Sequence, residues 1–492
     1  MHNFTMPTAV FANGTRILPV NLLIGGEWRE SETKRRIDVV DPSTAQVISS
    51  IADATPAEGI AAVDAAEKAA PSWAATAPRV RSEILRKCFE KIIENVDWLA
   101  HLISLENGKA LPDAKSEVIY AAEFYRWYAE QGVRMHGEIG VSPSGSNRIV
   151  VQYEPIGISF LITPWNFPAA MATRKIAPAL AAGCTCILKP ATETPLTAFA
   201  IAQIMHEAGV PPGVINVLTT SKAGALSQAI LSDDRVRKLS FTGSTEVGRI
   251  LLRNAADKII SCSMELGGNA PFLVFDDAPL SDALDGAMVA KMRNGGEACT
   301  AANRFYVQKG IYKAFTDGIV DRMSRIQLGP GYAPDTGLGP MINASAVQKI
   351  GSLVEDAVQR GARLLLGGVS LNRPGYYYPP TVLADVQPGS QILREEIFGP
   401  VVSLISFEKQ EDAIRSANDT EYGLAAYVYT SDLKRGFQVC SRIESGMIAL
   451  NRGLVSDPAA PFGGVKQSGL GREGSYHGLL EFAEAKYVAV NW

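Results

Sequence analysis

The sequence predicts an α/β protein with a doubly wound parallel sheet, a second α/β unit and a separate strand arm. From Gly157 to a helix that begins at Thr245, β-like and helical segments alternate, which is typical of a parallel sheet with helices on both faces. Helical patterns fill residues 55–130, and strands and helices occur again after Leu266. The 492 residues are enough for two or three domains.

The N-terminal part is predicted to be a short strand followed by helices, and residues 1–20 a mobile extension. Residues 22–28 indicate a strand with a Gly-Gly turn. Thr55 before Pro56 is a helix start, because a capping hydroxyl is followed by proline at the first helical position. Ala-rich segments with a period near 3.6 follow, up to about residue 130.

The strands of the central sheet come next, and an arm flanks them. The predicted strands are residues 157–162, 186–189, 214–218 and 238–241, and the helices between them are 174–182, 194–208 and 224–231. Strand candidates of the second unit are 272–275, 304–307, 401–405 and 425–429. Residues 148–153 are β-like and leave the domain body as an arm, and the alternating segment 486–490 resembles an edge strand that needs a partner.

Composition and charge exclude several classes of function. The net charge of −4, with no long basic run, argues against nucleic acid and anionic membranes as partners. No apolar run reaches the roughly 18 residues of a membrane helix, and residues 1–20 lack the pattern of a secretion signal. Six scattered cysteines suit a reducing, cytoplasmic location, and the pair Cys184 and Cys186 is too small a set for zinc. We therefore expect no metal site.

Two Gly-rich stretches supply a carboxylate and a thiol. Glu265 is followed by Gly267 and Gly268, which allow close approach of a backbone to a ligand. Cys299 follows Gly295-Gly296 in a run without bulky apolar residues, a context that favours a reachable nucleophile over a core thiol. No histidine lies near either stretch in sequence, so Glu265 is the candidate general base, with a surface or helix-capping carboxylate as its alternative.

Four further motifs lie near predicted strand ends or in Gly-rich loops. Residues 163–168 hold Asn166 between two prolines, where its amide could donate to an oxyanion or form a structural turn. Lys189 ends a strand and could bind a ribose or phosphate oxygen, or be a solvated loop lysine. Residues 243–248 open a helix whose free N–H groups could hold a pyrophosphate. Residues 469–474 match GxGxxG, but no strand immediately precedes them and too little chain follows, so we interpret them as a tight loop.

Together and in this order, these motifs resemble the aldehyde dehydrogenase superfamily from about Leu22 to Tyr487. The resemblance also includes Glu395-Glu396-Ile397-Phe398-Gly399-Pro400. It implies an N-terminal extension (1–20), a dinucleotide-binding domain (21–133 and 154–265), a catalytic domain (266–477) and a β-strand oligomerisation arm (134–153 and 478–492) that pairs subunits into homodimers or homotetramers.

The resemblance implies a mechanism through a cysteine thioester. Cys299 attacks the aldehyde as a thiolate, the Asn166 amide and the Cys299 N–H hold the oxyanion, and hydride passes to nicotinamide. Glu265 then activates water, which cleaves the thioester to the acid. The coenzyme contacts that the resemblance implies are Trp165, Lys189, Thr192, Gly243, Ser244, Leu266, Glu396 and Phe398.

One departure concerns the coenzyme. Superfamily members that prefer NAD often carry Glu three residues after the lysine, where it repels a 2′-phosphate, whereas this chain has Thr192. Because Thr192 removes that repulsion and Lys189 can contact a phosphate, we expect either NADP or NAD to serve, with NADP accepted.

Within the superfamily, the chain resembles succinate-semialdehyde dehydrogenases. Arg174, Arg293 and Ser456 are similar to the carboxylate-binding set of that group. Two arginines, at about 1.5–3 kcal/mol for each charge-assisted contact, would favour an acidic aldehyde over a neutral one by roughly a hundredfold. The alternative is that either arginine pairs with a buried acid. Ala301 stands where some members have a second cysteine, so we expect no redox disulfide there.

Other functions stay open at this stage. The loop 297–302 and Asp457 differ from the best-known members, so glutarate semialdehyde or a neutral aliphatic aldehyde is an alternative substrate. A CoA-acylating enzyme would have to exclude water, which makes Glu265 a liability. A catalytically idle binding protein on the same fold would have no need of Asn166, Glu265 and Cys299, nor of a Cys299 thiol with a lowered pKa.

Overall fold

The computed structural model describes residues 3–5 and 17–491. The remainder of the predicted N-terminal extension, residues 1–2 and 6–16, and Trp492 in the predicted arm lie outside the described residues. The strands are β1 (Asn3–Thr5), β2 (Ile17–Pro19), β3 (Leu22–Ile24), β4 (Glu27–Arg29), β5 (Arg36–Asp41), β6 (Gln46–Ala52), β7 (Glu138–Val141), β8 (Arg148–Pro155), β9 (Ile158–Ile162), β10 (Cys186–Lys189), β11 (Ile215–Val217), β12 (Val236–Thr242), β13 (Ser261–Glu265), β14 (Ala270–Val274), β15 (Ala302–Gln308), β16 (Arg363–Leu366), β17 (Thr381–Ala384), β18 (Val401–Phe407), β19 (Ala425–Tyr429), β20 (Met447–Leu450), β21 (Gly469–Leu470) and β22 (Ala483–Val490).

The helices include those that the sequence analysis predicted within residues 55–130 and between the strands of the central sheet. They are α1 (Pro56–Ala75), α2 (Pro78–Glu94), α3 (Val96–Asn107), α4 (Leu111–Gly132), α5 (Pro168–Ala182), α6 (Pro195–Ala208), α7 (Ala223–Leu231), α8 (Thr245–Ala256), α9 (Leu280–Met292), α10 (Lys309–Ser324), α11 (Ala344–Gln359), α12 (Gln410–Asn418), α13 (Leu433–Cys440) and α14 (Ser475–Leu480). The predicted start of α1 is confirmed, because Thr55 Oγ1 accepts from Glu58 N at 3.2 Å and Glu58 Oε2 accepts from Thr55 N at 2.7 Å.

The first sheet has eight strands in the order β21-β13-β12-β9-β10-β11-β3-β4. Its five central strands are parallel, as predicted, while β3, β4 and β21 run antiparallel to their neighbours. Strands β9 and β10 are buried at every residue because apolar clusters from helices cover both faces. The prediction of an α/β fold with a doubly wound sheet is confirmed.

The second sheet has seven strands in the order β16-β17-β18-β15-β14-β19-β20, and all pairs except β16 with β17 are parallel. A stack of aromatic rings around Phe272 fills its core, with the Tyr427 and Tyr429 rings at centroid distances of 5.7 and 5.1 Å. The four strands predicted for this unit are confirmed.

The predicted arm forms a three-stranded antiparallel sheet in the order β22-β8-β7. Strand β22 pairs with β8 along its whole length, from Ala483 opposite Pro155 to Val490 opposite Arg148, so the C-terminal strand finds its partner within the chain. Strand β7 is an edge strand, and its Ile139 side chain is 71% exposed.

The prediction of a mobile extension over residues 1–20 is wrong for residues 17–20, because β2 pairs with β1 and Leu18 is buried in the core. The structure also adds elements that the sequence analysis did not predict. The hairpin β5–β6 and strands β13, β16, β17, β20 and β21 are short or carry polar residues, so they lack a clear apolar alternation. Helix α5 begins at Pro168 rather than at residue 174. Strand β21, within the range predicted for the catalytic domain, pairs with β13 of the first sheet and brings residues 469–473 beside Glu265. Within the described residues, we find no helix with the length and apolarity needed to cross a membrane.

Candidate active site

The loops that follow β9, β10, β12 and β13 meet at one edge of the first sheet and border a cavity of about 750 Å³. That volume suits a cofactor site. The three predicted catalytic residues and all eight predicted coenzyme contacts line it: Asn166, Glu265, Cys299, Trp165, Lys189, Thr192, Gly243, Ser244, Leu266, Glu396 and Phe398. The structure therefore brings these sequence-predicted residues together.

Cys299 lies on a loop that close backbone packing holds in place. A Cβ on Gly268 would lie 2.4 Å from the Cys299 carbonyl oxygen, so only glycine fits there. Asn294, at the start of the loop, has a φ of +52°, which costs energy in a residue other than glycine and is typical of functional sites. The Cys299 thiol is half-buried and reaches the cavity.

Asn166 is held in place by hydrogen bonds to its side chain and to its main-chain carbonyl. Its Nδ2 donates to the Glu297 carbonyl at 3.1 Å, and its own carbonyl accepts from Lys109 Nζ and from Asn294 Nδ2, both at 2.9 Å. The side-chain oxygen has no hydrogen-bond partner among the described residues. The amide is thus tied to the loop that carries Cys299, which suits a donor to an oxyanion.

A buried ionic network behind Asn166 was not predicted from the sequence. Lys109 and Glu117 form a fully buried ion pair, and Glu117 Oε1 accepts from Ala169 N and Ala170 N at 2.9 and 3.2 Å, which caps helix α5. Asp113 Oδ2 accepts from Asn294 N at 2.7 Å. The network joins helix α4 to both catalytic loops. The sequence spacing of Lys109, Asp113 and Glu117 at four-residue intervals was the available signal.

Glu265 ends strand β13 as an unpaired buried carboxyl. Neither of its side-chain oxygens has a hydrogen-bond partner among the described residues, and a Cβ on Gly463 would lie 2.9 Å from Oε1. Burial and the nearby Glu473 raise the pKa of Glu265 well above its ordinary value, although Arg174, Lys175 and Arg472 oppose the shift. A carboxyl with a raised pKa, next to a thiol, is suited to proton transfer.

Glu473 is a further buried residue beside the candidate site that the sequence analysis missed. It is 5% exposed, forms an ion pair with Arg174 Nε at 2.7 Å and another with Lys175, whose Nζ also donates to Ser240 Oγ at 3.0 Å. Although burial opposes ionisation, Lys175 and Arg174 hold the pKa of Glu473 below its ordinary value. Glu473 lies in the Gly-rich loop 469–474, which the sequence analysis interpreted only as a tight turn.

Burial raises the pKa of the Cys299 thiol to about 12, and the Arg174 guanidinium offsets part of that effect. The sequence analysis took a lowered pKa of Cys299 as the mark of an enzyme rather than of an idle binding protein. The structure gives a raised pKa instead. The main physical reason is that burial removes the water that would stabilise a thiolate, and the charges of Glu396, Glu265 and Glu473 add to this effect. Thiolate formation here needs a base.

The three predicted carboxylate-binding residues have different surroundings. Arg174 is buried, pairs with Glu473 and lies 4.1 Å from the centroid of the Phe462 ring. Arg293 is half-buried and lies over the ring of Phe167 at 4.8 Å. Among the residues that the structure describes, no carboxylate lies within 4 Å of the Arg293 guanidinium. Ser456 is half-buried on the loop before Phe462.

The cavity side carries the features of a coenzyme site. Ser244 caps helix α8, because its Oγ accepts from Val247 N at 3.4 Å. Ser244 and Val247 both line the cavity, so the N-terminus of the helix lies at the cavity wall. Glu396 Oε1 accepts from Gly268 N at 3.2 Å, and burial raises the pKa of Glu396 to about 7. Phe398, with a φ of +53°, stands edge to face with Trp165 at 5.4 Å.

These features define a class of enzyme: one that forms a covalent intermediate on a cysteine, beside a cavity that fits a dinucleotide. The model of the aldehyde dehydrogenase family matches residues 28–488 of this chain. The chain belongs to the aldehyde dehydrogenase family, whose members oxidise aldehydes with a nicotinamide coenzyme.

Known relatives are similar over nearly the whole chain. A succinate-semialdehyde dehydrogenase of Paenarthrobacter nicotinovorans is 51% identical, covering 90% of this chain and 99% of the relative. A glutarate-semialdehyde dehydrogenase of Pseudomonas putida is 46% identical, covering 95% of this chain and 97% of the relative. The crystal structure of an NADP-dependent enzyme of Escherichia coli has a TM-score of 0.95 at 46% identity, covering 96% of this chain and 98% of that one.

Proposed function

We propose that this enzyme oxidises succinate semialdehyde to succinate with NADP or NAD. The observation that carries the choice of substrate is Arg293, a half-buried cation that lies against the ring next to the oxyanion amide and lacks a carboxylate partner among the described residues. Its charge is available to a carboxylate on the substrate. The similarity to succinate-semialdehyde dehydrogenases supports the same choice.

Arg174 has a different part in this proposal. Its guanidinium is compensated by Glu473, so it offers less net charge to a substrate than Arg293 does. Arg174 places positive charge near Cys299 and Glu265, where it opposes the effect of burial on both groups. Arg293 is therefore the main anchor of the distal carboxylate, and Arg174 and Ser456 shape the site around it.

The reaction begins with proton transfer from the Cys299 thiol, which Glu265 assists as a base. The thiolate sulfur attacks the aldehyde carbon, and the Asn166 Nδ2 and the Cys299 N–H stabilise the oxyanion of the resulting thiohemiacetal. A nicotinamide bound in the cavity would accept the hydride that the thiohemiacetal carbon loses, which converts the Cys299 adduct to a thioester. Glu265, once it has released its first proton to solvent, takes a proton from water as the water oxygen attacks the thioester carbon, and the Cys299 sulfur leaves as the acid forms.

The residues that line the cavity fit such a coenzyme. Glu396 would bind the nicotinamide ribose hydroxyls, Phe398 would contact the nicotinamide, and the capped end of helix α8 would face the pyrophosphate. Lys189, which is buried and donates to the Pro190 carbonyl at 3.0 Å, would bind the adenosine ribose or its 2′-phosphate. Thr192 lines the same part of the cavity and carries no charge against NADP.

Glutarate semialdehyde is the second candidate, since a 46% identical relative is a glutarate-semialdehyde dehydrogenase. It has the same carboxylate with one more methylene group, so Arg293 serves both substrates and the depth of the site decides between them. A neutral aldehyde would leave Arg293 without a partner.

We further propose a cytoplasmic homodimer or homotetramer assembled through the arm. The exposed β7 edge carries Ile139 and Val141, which are 71% and 53% exposed, and Tyr487 and Val488 on β22 are also exposed. An apolar edge strand of this kind favours pairing with a second copy. Light scattering after size-exclusion chromatography tests this, because a monomer at micromolar concentration would contradict the proposal.

The experiment that tests the substrate is a panel of aldehydes at saturating coenzyme. We expect kcat/KM for succinate semialdehyde to exceed that for butanal by roughly a hundredfold, since an aldehyde without a carboxylate forfeits the charge-assisted bonds. Glutarate semialdehyde is the third arm of the panel. Equal values for succinate semialdehyde and butanal would reduce the assignment to an aldehyde dehydrogenase of unspecified substrate.

A further inference from the structure

The loop after β10 carries an exposed carboxylate, Glu193, beside the residues proposed to bind the coenzyme. Lys189, Thr192 and Glu193 all line the cavity. Lys189 is buried, Thr192 is half-buried and Glu193 is exposed at the cavity surface. The sequence analysis considered only Thr192, where the absence of a carboxylate favours NADP. The structure shows a carboxylate one residue further along on the same cavity wall.

We propose that Glu193 determines how strongly this enzyme discriminates against NADP. This inference rests on the proposal that the cavity binds the coenzyme, with Lys189 near the adenosine ribose. A 2′-phosphate bound in this loop would experience attraction from Lys189 and repulsion from Glu193, whereas the 2′-hydroxyl of NAD can donate a hydrogen bond to the Glu193 carboxylate.

The contacts of Glu193 are consistent with a carboxylate that is free to act on a ligand. Its Oε2 accepts a long hydrogen bond from Thr192 Oγ1, at 3.4 Å. Among the described residues, no lysine, arginine or histidine nitrogen lies within 4 Å of the carboxylate, so no ion pair neutralises it. Its charge reaches Lys189, because Glu193 raises the pKa of that ammonium against the stronger effect of burial.

Thr192 and Glu193 therefore have opposite effects on coenzyme choice. Thr192 is small and uncharged, so it leaves room for the 2′-phosphate and does not repel it. Glu193 repels the phosphate and so lowers the affinity for NADP. Because Glu193 is exposed to solvent, this repulsion is weak and depends on salt. The enzyme accepts both coenzymes as a result, and replacement of the Glu193 charge would shift it toward NADP.

The test compares Glu193→Gln with Glu94→Gln in the whole chain. Glu94 is an exposed carboxylate at the end of α2 that does not line the cavity and lies outside the elements assigned to the coenzyme, so it controls for the change in net charge. Calorimetry would measure binding of adenosine 2′,5′-bisphosphate and of 5′-AMP, and kinetics would give the ratio of kcat/KM for NADP to that for NAD.

We expect Glu193→Gln to increase the affinity for the bisphosphate relative to 5′-AMP, and the kinetic ratio, by about five- to tenfold, with a smaller gain at 0.5 M salt. The Glu94→Gln variant should change both by less than about twofold. An unchanged ratio in Glu193→Gln, or an equal change in both variants, would overturn the proposal. The aldehyde panel at saturating coenzyme is independent of this result, so failure of one proposal does not imply failure of the other.

Discussion

The two sides of Cys299 are built on different principles. The coenzyme side is an open cavity of about 750 Å³ formed by loops at the edge of a parallel sheet. On the other side, cations are buried and compensated: Arg174 and Lys175 by Glu473, and Lys109 by Glu117. Arg293 is half-buried and has no carboxylate within 4 Å among the described residues. The buried Lys291 nearby also lacks one, but its Nζ donates to Asn303 Oδ1 at 3.1 Å and burial lowers its pKa to about 7. The comparison teaches that a guanidinium, which stays charged, without a carboxylate in this region indicates where a charged ligand binds.

Replacing the nucleophile has the largest expected effect on this comparison. Cys299→Ala should lower kcat for aldehyde oxidation by about 10⁴-fold or more, because the covalent intermediate cannot form. Coenzyme affinity, measured by calorimetry, should change little, since the cavity wall contributes many other contacts. Substantial residual turnover would show that Cys299 does not form the intermediate.

Glu265 is next, because both half-reactions use it. We expect Glu265→Gln to lower steady-state kcat by about 10²–10⁴-fold, the usual contribution of a positioned general base. If Glu265 serves both steps, stopped-flow absorbance should show no burst of reduced coenzyme, because the thioester does not form. A burst followed by slow turnover would contradict the role in thiolate formation and confine Glu265 to hydrolysis of the thioester.

The compensated cations predict a large effect on stability. Glu473→Gln leaves Arg174 and Lys175 buried without their carboxylate, which should cost about 3–5 kcal/mol of unfolding free energy in a denaturant titration. The matched control is Glu444→Gln, which breaks an exposed 3.1 Å pair with Lys466 and should cost about 1 kcal/mol or less. Equal losses in the two variants would mean that the buried cluster is not the stabilising feature inferred here.

The pH dependence follows from the raised pKa values of Cys299 and Glu265. Burial raises the pKa of Cys299 to about 12, and burial together with Glu473 raises that of Glu265. Because both groups act in their deprotonated forms, kcat/KM should rise as the pH increases above neutral, up to tenfold per unit where one proton is lost. In a folded Glu473→Gln variant, loss of the neighbouring negative charge lowers the pKa of Glu265, so the rise should move to lower pH. A profile that falls over this range would contradict the assignment of these groups.

Sequence patterns predicted the coenzyme side better than the other side, for a physical reason. Asn166 and Lys189 lie at the ends of strands that the sequence predicts, so the topology of a parallel sheet brings them together, and Glu265 was found from the glycines that follow it. Glu473 reaches Arg174 across almost 300 positions of sequence through the two-residue strand β21, which has no apolar pattern of its own. An ion pair between residues so far apart in sequence cannot be predicted from the local periodicity of either segment.

The same limit applies to the fold. The long apolar strands β9, β14 and β19 were predicted, since each is buried at every residue. Strand β13, with the sequence SCSME, was missed because its polar side chains are accommodated by partners from elsewhere, such as Glu481, which accepts from Ser263 Oγ at 2.6 Å. Tertiary contacts decided the structure there, against the local pattern.

The central claim is that Arg293 binds the distal carboxylate of the substrate. Its most direct test is kcat/KM for succinate semialdehyde and for butanal, in the wild type and in Arg293→Ala, with Arg452→Ala as a control for an exposed arginine elsewhere in the chain. We expect the preference for the acidic aldehyde to fall by about ten- to a hundredfold in Arg293→Ala, with butanal little affected. If the preference is unchanged, the carboxylate is bound elsewhere and the account of this side of the enzyme is wrong.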